Sequence, residues 1–242
     1  MKLYVIGIGP GGEEQMTLRA VRALTACDCV AGYGLYLDLI APLIEGKERI
    51  MTGMTREVDR CTAARDRALQ GQTVAVVSSG DAGVYGMAGL VFEVCEGHPE
   101  IEIEVIPGIT AACSGGAVLG SPLTCDFACV SLSDLLTPWE VIEQRLRGAA
   151  QGDFAIALYN PASKKRTDHL QRACDILLET QKPETVCGLV RNIGRAGETF
   201  SLTTLGALRD TPVDMLTTVF VGNSRTKVVD GRMVTPRGYR GV

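Results

Sequence analysis

Residues 73–86 read TVAVVSSGDAGVYG. The first six are β-branched or small and carry no charge, the composition of a strand covered on both faces. Such strands belong to parallel sheets with helices on either side. The rest is a glycine-rich turn with a single acid, Asp81, at the strand's carboxyl end, where open α/β sheets hold their ligands. Upstream, MKLYVIGIGPGG (residues 1–12) repeats the plan, an apolar strand running into a glycine turn. Downstream, residues 101–106 read as a strand and PGITAA (residues 107–112) as a further glycine-containing loop. Between them the spacing predicts helices over residues 17–27, 33–40, 56–70, 87–96 and 109–119, the third capped by Thr55 and ended by Gly71. Alternating strands and helices predict a parallel sheet, with the glycine loops along one edge of it.

GSPLTCD (residues 120–126) breaks the rhythm. Beyond it, strands are expected at 127–132, 154–159, 185–191, 198–203, 217–221 and 227–235, with helices over 138–147 and 163–180. Closely spaced strands with short turns, one of them an Asp230-Gly231 hairpin, suggest a mixed or antiparallel sheet. The expected organisation is two α/β domains, residues 1–120 with a parallel sheet and residues 121–242 with a mixed one.

Of the 242 residues, 46% are hydrophobic and 21% charged, which is ordinary for a folded chain and rules out disorder. With 24 basic and 28 acidic residues the net charge is −4, so a nucleic-acid partner is not expected and an anionic ligand must meet a local cluster. No apolar run approaches the roughly 20 residues of a transmembrane helix. The opening residues do not form a signal peptide, and a cytoplasmic location is expected. There are nine cysteines, no CxxC pair, and only His98 and His169 to supply imidazole. Neither lies near Cys27/Cys29 or Cys125/Cys129, so no metal site is expected and the thiols read as reduced and mostly buried.

Gly7, Gly9 and Gly12 satisfy GxGxxG, the dinucleotide pattern. Pro10, however, offers no N–H to a pyrophosphate, and Glu13 and Glu14 put negative charge where phosphates would lie. No acid ends the second strand to hold a ribose. A tight turn against an uncharged or cationic ligand fits better; a purely structural turn and an NAD-dependent oxidoreductase stay open. NPASKKR (residues 160–166) places Lys164, Lys165 and Arg166 in the first turn of a predicted helix. Cations there oppose the helix dipole, and an anionic ligand would reverse the sign. Arg191 and Arg195 of RNIGR and the arginines of PRGYRG add forks suited to carboxylates. A small polyanion is the expected substrate.

Together, GIGPGG, SGDAGVYG, PGITAA and the break near Gly120 resemble, in order and over nearly the whole chain, the tetrapyrrole methylase family. Its members methylate corrinoid and sirohaem precursors with S-adenosylmethionine. Longer strings resemble the branch that methylates precorrin-3B, or its cobalt-containing counterpart, at C-17 and contracts the ring on the way to cobalamin: SSGDAGVYGMAG, residues 120–146, LYNPASKKR and VFVGNSRT. A sibling acting elsewhere on the ring, such as at C-11 of precorrin-4, shares the general loops.

The resemblance implies a tetrapyrrole-methylase-like homodimer whose cofactor, S-adenosyl-L-methionine, lies in the cleft between the two domains. It implies cofactor contacts from Pro10, Ser79, Gly80, Asp81, Val84, Thr110 and Ala111. Asn160, where several relatives carry Met, and Ile193, often Gly elsewhere, complete that set. Gly9, Gly11, Lys164, Lys165, Arg166, Arg191 and Arg195 are expected to face the tetrapyrrole, whose acetate and propionate arms are anionic. Asp81 is the one acid or base that can be named for the ring contraction, with cofactor positioning its better role.

Overall fold

The computed structural model describes residues 1–163 and 165–241, so Lys164, one of the expected substrate contacts, lies outside the described residues. The chain divides into two compact units, Met1–Ala111 and Ala112–Val242. In the first, β1 (Lys2–Gly7), β2 (Cys29–Tyr33), β3 (Glu48–Thr52), β4 (Val74–Ser78) and β5 (Glu102–Ile106) form one sheet in the order β3-β2-β4-β1-β5. Every pairing in it is parallel. The connections carry α1 (Leu18–Ala26), α2 (Gly34–Leu39), α3 (Glu57–Leu69) and α4 (Ala88–Val94).

Side chains alternate across a strand, so each strand feeds two cores. Leu3, Val5, Val74 and Val76 pack with Cys61, Ala64 and Ala68 of α3 and Val91 of α4. Ile6, Ala75 and Val77 pack with Ala20 and Leu24 of α1 and Leu37 of α2. All of β4 is buried, as its composition predicts. The edge strand β3 was not legible: ERIMT alternates half-buried and exposed positions and has no apolar run. Thr55 does not cap α3. The cap position is Arg56, while Thr55 (φ 64°) donates its N–H to Glu57 Oε1. Glu57 and Asp59 in the first turn favour that helix end through the dipole instead.

α5 (Ala111–Leu119) begins on the last residue of the first unit and leads into the second, followed by the short β6 (Gly120–Ser121). Then come β7 (Phe127–Ser131), α6 (Trp139–Gln151), β8 (Ala155–Tyr159), α7 (His169–Leu177), β9 (Val186–Arg191), β10 (Thr199–Thr204), α8 (Leu205–Leu208) and β11 (Thr217–Val221). Its sheet runs β10-β9-β11-β8-β7, with β7 and β8 parallel and the other pairs antiparallel. This is the expected mixed sheet. Ile142 and Leu146 of α6 and Leu170, Cys174 and Leu177 of α7 cover one face of it. α5 packs with the second unit, where Gly115 lies against Ile193 and Phe220 and Leu119 lies against Gly188. The hairpin of β12 (Lys227–Val229) and β13 (Arg232–Val234) turns at Asp230 and Gly231, φ 47° and 73°, the left-handed pair that such a turn requires.

The helix expected over 163–180 begins only at His169, which changes the reading of the cations before it. Ser163 Oγ accepts the backbone N–H groups of Lys165 (3.4 Å) and Arg166 (3.2 Å), a local turn that competes with helix. Lys165 and Arg166 therefore precede α7 and do not oppose its dipole.

Cys27, Cys29, Cys61, Cys95, Cys174 and Cys187 are buried, and Cys113 is exposed. Burial pushes the Cys29 and Cys61 thiols up to about 11 and that of Cys174 to about 12. The thiolate is the reactive form, and a thiol with such a value is ionised to roughly one part in a thousand or less at pH 8. Ellman's reagent is expected to modify Cys113 promptly and the six buried thiols only after denaturation. Prompt reaction of more than three thiols in native protein would contradict this packing. Among the described residues no group of three or more His, Cys, Asp and Glu is placed to hold a metal ion. No helix among them is long and apolar enough to cross a membrane.

Candidate functional site

The strand order sets β1 between β4 and β5, so the loops leaving their carboxyl ends meet. Ile8 donates its N–H to the Ser78 carbonyl (2.9 Å), and Gly9 and Gly80 exchange backbone hydrogen bonds of 3.0 and 2.8 Å. A Cβ on Gly108 would stand 2.1 Å from the Gly80 oxygen and 2.6 Å from the Gly7 carbonyl. One on Gly7 would meet Gly108 N at 2.6 Å and Gly80 O at 2.7 Å. Here glycine serves the contact of three backbones with one another. Asp81 ties the cluster: Oδ1 accepts the N–H of Gly83 (2.8 Å) and Oδ2 that of Gly108 (2.9 Å). Ser78 Oγ accepts the N–H of Met87 at 3.1 Å, closing the β4 loop on itself. Gly9, Pro10, Gly11, Ser79, Gly80, Asp81, Val84, Thr110 and Ala111 all lie on these loops. Gly9 to Gly11 and Gly80 are buried and the others half-buried.

The donor set limits the ligand. Residues 7–12, 78–86 and 107–112 carry no Lys or Arg. Their polar groups are the backbone, the hydroxyls of Ser78, Ser79, Tyr85 and Thr110, and one carboxylate. The glycine turn does not run into a helix N-terminus; Glu13–Gln15 forms a 3-10 turn first, with both glutamates exposed. α1 opens later, and Thr17 Oγ1 already accepts the Ala20 N–H there (3.1 Å). Gly12, the last glycine of GxGxxG, has nothing within 4 Å of its would-be Cβ, where a dinucleotide fold needs close helix–strand packing. The cluster suits a ligand that is neutral or cationic, not a pyrophosphate.

In the second unit, the parallel pair β7 and β8 sends out loops 132–138 and 160–168 side by side. Asn160 (φ 54°) donates its amide to Ser131 Oγ (3.0 Å). The Tyr159 hydroxyl accepts the N–H of Ala112 in the first turn of α5 (2.7 Å). His169 is buried, with Nε2 3.1 Å from Asp134 and Nδ1 3.2 Å from Asp168. The His169 ring 3.1 Å away holds the Asp134 carboxyl below its usual range. Arg166, mostly buried, donates Nε to Ser163 Oγ (3.2 Å) and sets Nη1 4.0 Å from Asp134. Lys165 is exposed. Ile193 is buried on the turn after β9, between Arg191, ion-paired with Asp214 at 2.8 Å, and Arg195. Lys165 and Arg166 thus share a loop with Asn160, while Arg191 and Arg195 flank Ile193 on a different one. Sequence reasoning passed over Ser131, Asp134, Tyr159 and the partners of His169. Ser131 and Asp134 lie within the stretch 120–146 and Tyr159 within LYNPASKKR, but no role was read for them; the signal for one was position at or beside the carboxyl ends of the two strands.

A parallel-sheet unit with this loop cluster and a mixed-sheet unit define a two-unit α/β scaffold, and likeness to known proteins makes the class specific. The family model for Tetrapyrrole (Corrin/Porphyrin) Methylases matches residues 2–209, and the chain belongs to this family. It is 50% identical over 238 residues to a probable cobalt-factor III C(17)-methyltransferase of Salmonella typhimurium, covering 98% of this chain and 99% of that one. It is 39% identical over 248 residues to a precorrin-3B C(17)-methyltransferase of a Sinorhizobium species, covering 99% and 97%. The crystal structure of the methyltransferase CobJ superposes with a TM-score of 0.90 at 41% identity, over 97% of this chain and 99% of that one. Some relatives are longer, and the chain spans about half of their length.

Proposed function

We propose that the chain methylates a cobalt-containing tetrapyrrole, cobalt-factor III, at C-17, with contraction of the ring, as a step of cobalamin biosynthesis. The observation that carries this is the 50% identity, end to end, with the Salmonella relative named for that reaction. The lower 39% identity with the relative named for precorrin-3B makes the cobalt-free macrocycle the second reading. The cofactor proposed is S-adenosylmethionine, which when bound supplies a sulfonium methyl already activated for in-line displacement. Its cationic, phosphate-free character matches the donor set of the glycine loops.

Pro10, Ser79, Gly80, Asp81, Val84, Thr110 and Ala111 are proposed to hold it, with Asn160 and Ile193 as further contacts. Gly9 and Gly11 are proposed to border the macrocycle. A rigid backbone cradle fixes the alignment of the reacting groups, and alignment with exclusion of water supplies much of the rate in such transfers. Both Asp81 oxygens already accept backbone N–H groups, so its proposed work is to hold the cradle's shape. Lys164, Lys165, Arg166, Arg191 and Arg195 are proposed to meet the carboxylate arms. A cytoplasmic homodimer is part of the same reading.

Purified protein incubated with methyl-labelled S-adenosylmethionine and cobalt-factor III, then with precorrin-3B, tests this by mass spectrometry of the product. One labelled methyl on a ring-contracted product is expected, faster with the cobalt form. Binding of S-adenosylhomocysteine without transfer to either macrocycle would move the assignment to a sibling acting at another ring position. No binding of it at all would overturn the reading.

A further inference from the structure

We propose that Arg60 is a substrate-binding residue, whose buried guanidinium is the counter-charge for one carboxylate arm of the macrocycle. This rests on the reading above that the substrate is a tetrapyrrole. Arg60 is 3% exposed and is the one buried Lys or Arg among the described residues. Its partners are all neutral: Nε donates to Thr52 Oγ1 (3.0 Å), Nη2 to the Gly53 carbonyl (3.2 Å) and Nη1 to the Met87 sulfur (3.9 Å). The acids around it on α3 are engaged elsewhere. Asp59 is paired with Arg56, Asp66 with Arg65 at 2.7 Å, and Glu57 Oε1 accepts the Thr55 N–H at 3.2 Å. Among the described residues Arg60 therefore has no ion pair, whereas the less buried Arg65 and Arg166 stand 2.7 and 4.0 Å from Asp66 and Asp134.

A buried charge is costly unless an opposite charge meets it, and neutral hydrogen bonds offset only part of that cost. With one bond each, Nη1 and Nη2 keep a second N–H unused, and two such donors match the two oxygens of a carboxylate. The place is right for a ligand. Thr52 ends β3, and Met87 closes the β4 loop by donating its N–H to Ser78 Oγ (3.1 Å). The guanidinium thus spans two loops at the carboxyl ends of the parallel sheet, the edge that also carries the glycine cluster. It lies just beneath the surface: Gly53, whose carbonyl it holds, is exposed and has nothing within 4 Å of its would-be Cβ. An arriving carboxylate need displace only the Met87 sulfur, the weakest of the three acceptors. Met51 and Met54, 67% and 53% exposed, flank Thr52 and Gly53 and offer adaptable apolar contact to the ring that carries the arm.

Two variants test this. Arg60→Gln keeps an NH2 donor for the Gly53 carbonyl, and Arg60→Met keeps only the apolar stem; both remove the charge. Each, beside the unsubstituted protein, is titrated by absorbance with cobalt-factor III and with the methyl ester of its side arms. S-adenosylhomocysteine is titrated by calorimetry, and thermal unfolding is recorded. Both variants are expected to bind the acid at least about tenfold more weakly than the unsubstituted protein does, and the ester equally well. Unfolding temperatures should stay within about 3 °C, because an uncompensated buried charge contributes little to stability. S-adenosylhomocysteine affinity should not move. Unchanged affinity for the acid, in whichever variant folds, would overturn the proposal. So would equal binding of acid and ester by the unsubstituted protein, since no carboxylate would then be recognised. A loss confined to S-adenosylhomocysteine would give Arg60 to the carboxylate of the cofactor, and loss of the fold in both variants would make it a strut between the loops; either overturns it. Failure of the unsubstituted protein to bind acid and ester alike would instead sink the parent reading, and this one with it.

Discussion

Gly108→Ala is expected to destabilise the first unit by about 3 kcal/mol and to abolish S-adenosylhomocysteine binding. The added methyl would stand 2.1 Å from the Gly80 oxygen and 2.6 Å from the Gly7 carbonyl, and both are backbone atoms in the turns after β4 and at the end of β1. A flexible side chain could swing aside; two backbones at the ends of central strands cannot do so without breaking the Gly9–Gly80 hydrogen bonds. Gly108 itself has no left-handed φ, so the cost is steric and not conformational. Gly12→Ala is the control, because nothing lies within 4 Å of that Cβ and its φ of −73° suits any residue. Thermal unfolding should fall by roughly 6–12 °C for the first variant, and hardly at all for the second. Equal unfolding temperatures would mean that the three backbones do not touch as described.

The contrast between these glycines shows what the sequence could and could not convey. Gly7, Gly9 and Gly12 read as one motif because they are close in the chain. The structure instead groups Gly7 with Gly80 and Gly108, and leaves Gly12 in open space. That grouping depends on β1 lying between β4 and β5, and nothing in residues 2–7 specifies their neighbours. Strand composition, by contrast, was legible in β4, where both faces are buried, and failed at the half-exposed edge strand β3. Helix faces were legible, and the starts of α1 to α6 fall within two residues of the expected ones; α7 is the exception. Leu170, Cys174 and Leu177 mark α7, but the Ser163 turn delays its first residue to His169. The Asp134–His169 contact joins residues 35 positions apart in the sequence, on different loops, and no spacing pattern links them.

Asp81→Asn changes almost no volume, so its effect isolates the carboxylate. Each oxygen accepts one backbone N–H, from Gly83 and from Gly108. An amide can accept on one side only and must turn its NH2 toward the other donor. Gly83 is exposed, so water can take that N–H, whereas Gly108 is packed against Gly7 and Gly80. The amide oxygen will therefore stay with Gly108, in a neutral bond about half as strong as the charged one it replaces. A loss of about 1–2 kcal/mol in stability is expected, with about tenfold weaker S-adenosylhomocysteine binding, because the tie between the loops after β4 and β5 weakens and the β4 loop loses its bond to Gly83. Asp81→Ala should cost more on both counts, since it leaves the Gly108 N–H without its acceptor. A different role gives a different pattern. If Asp81 moved a proton during ring contraction, the asparagine variant would keep its unfolding temperature and its affinity for S-adenosylhomocysteine and lose only the contracted product. Calorimetry and product analysis on the same preparation separate the two, and unchanged binding with lost contraction would refute the tie and make Asp81 a catalytic residue.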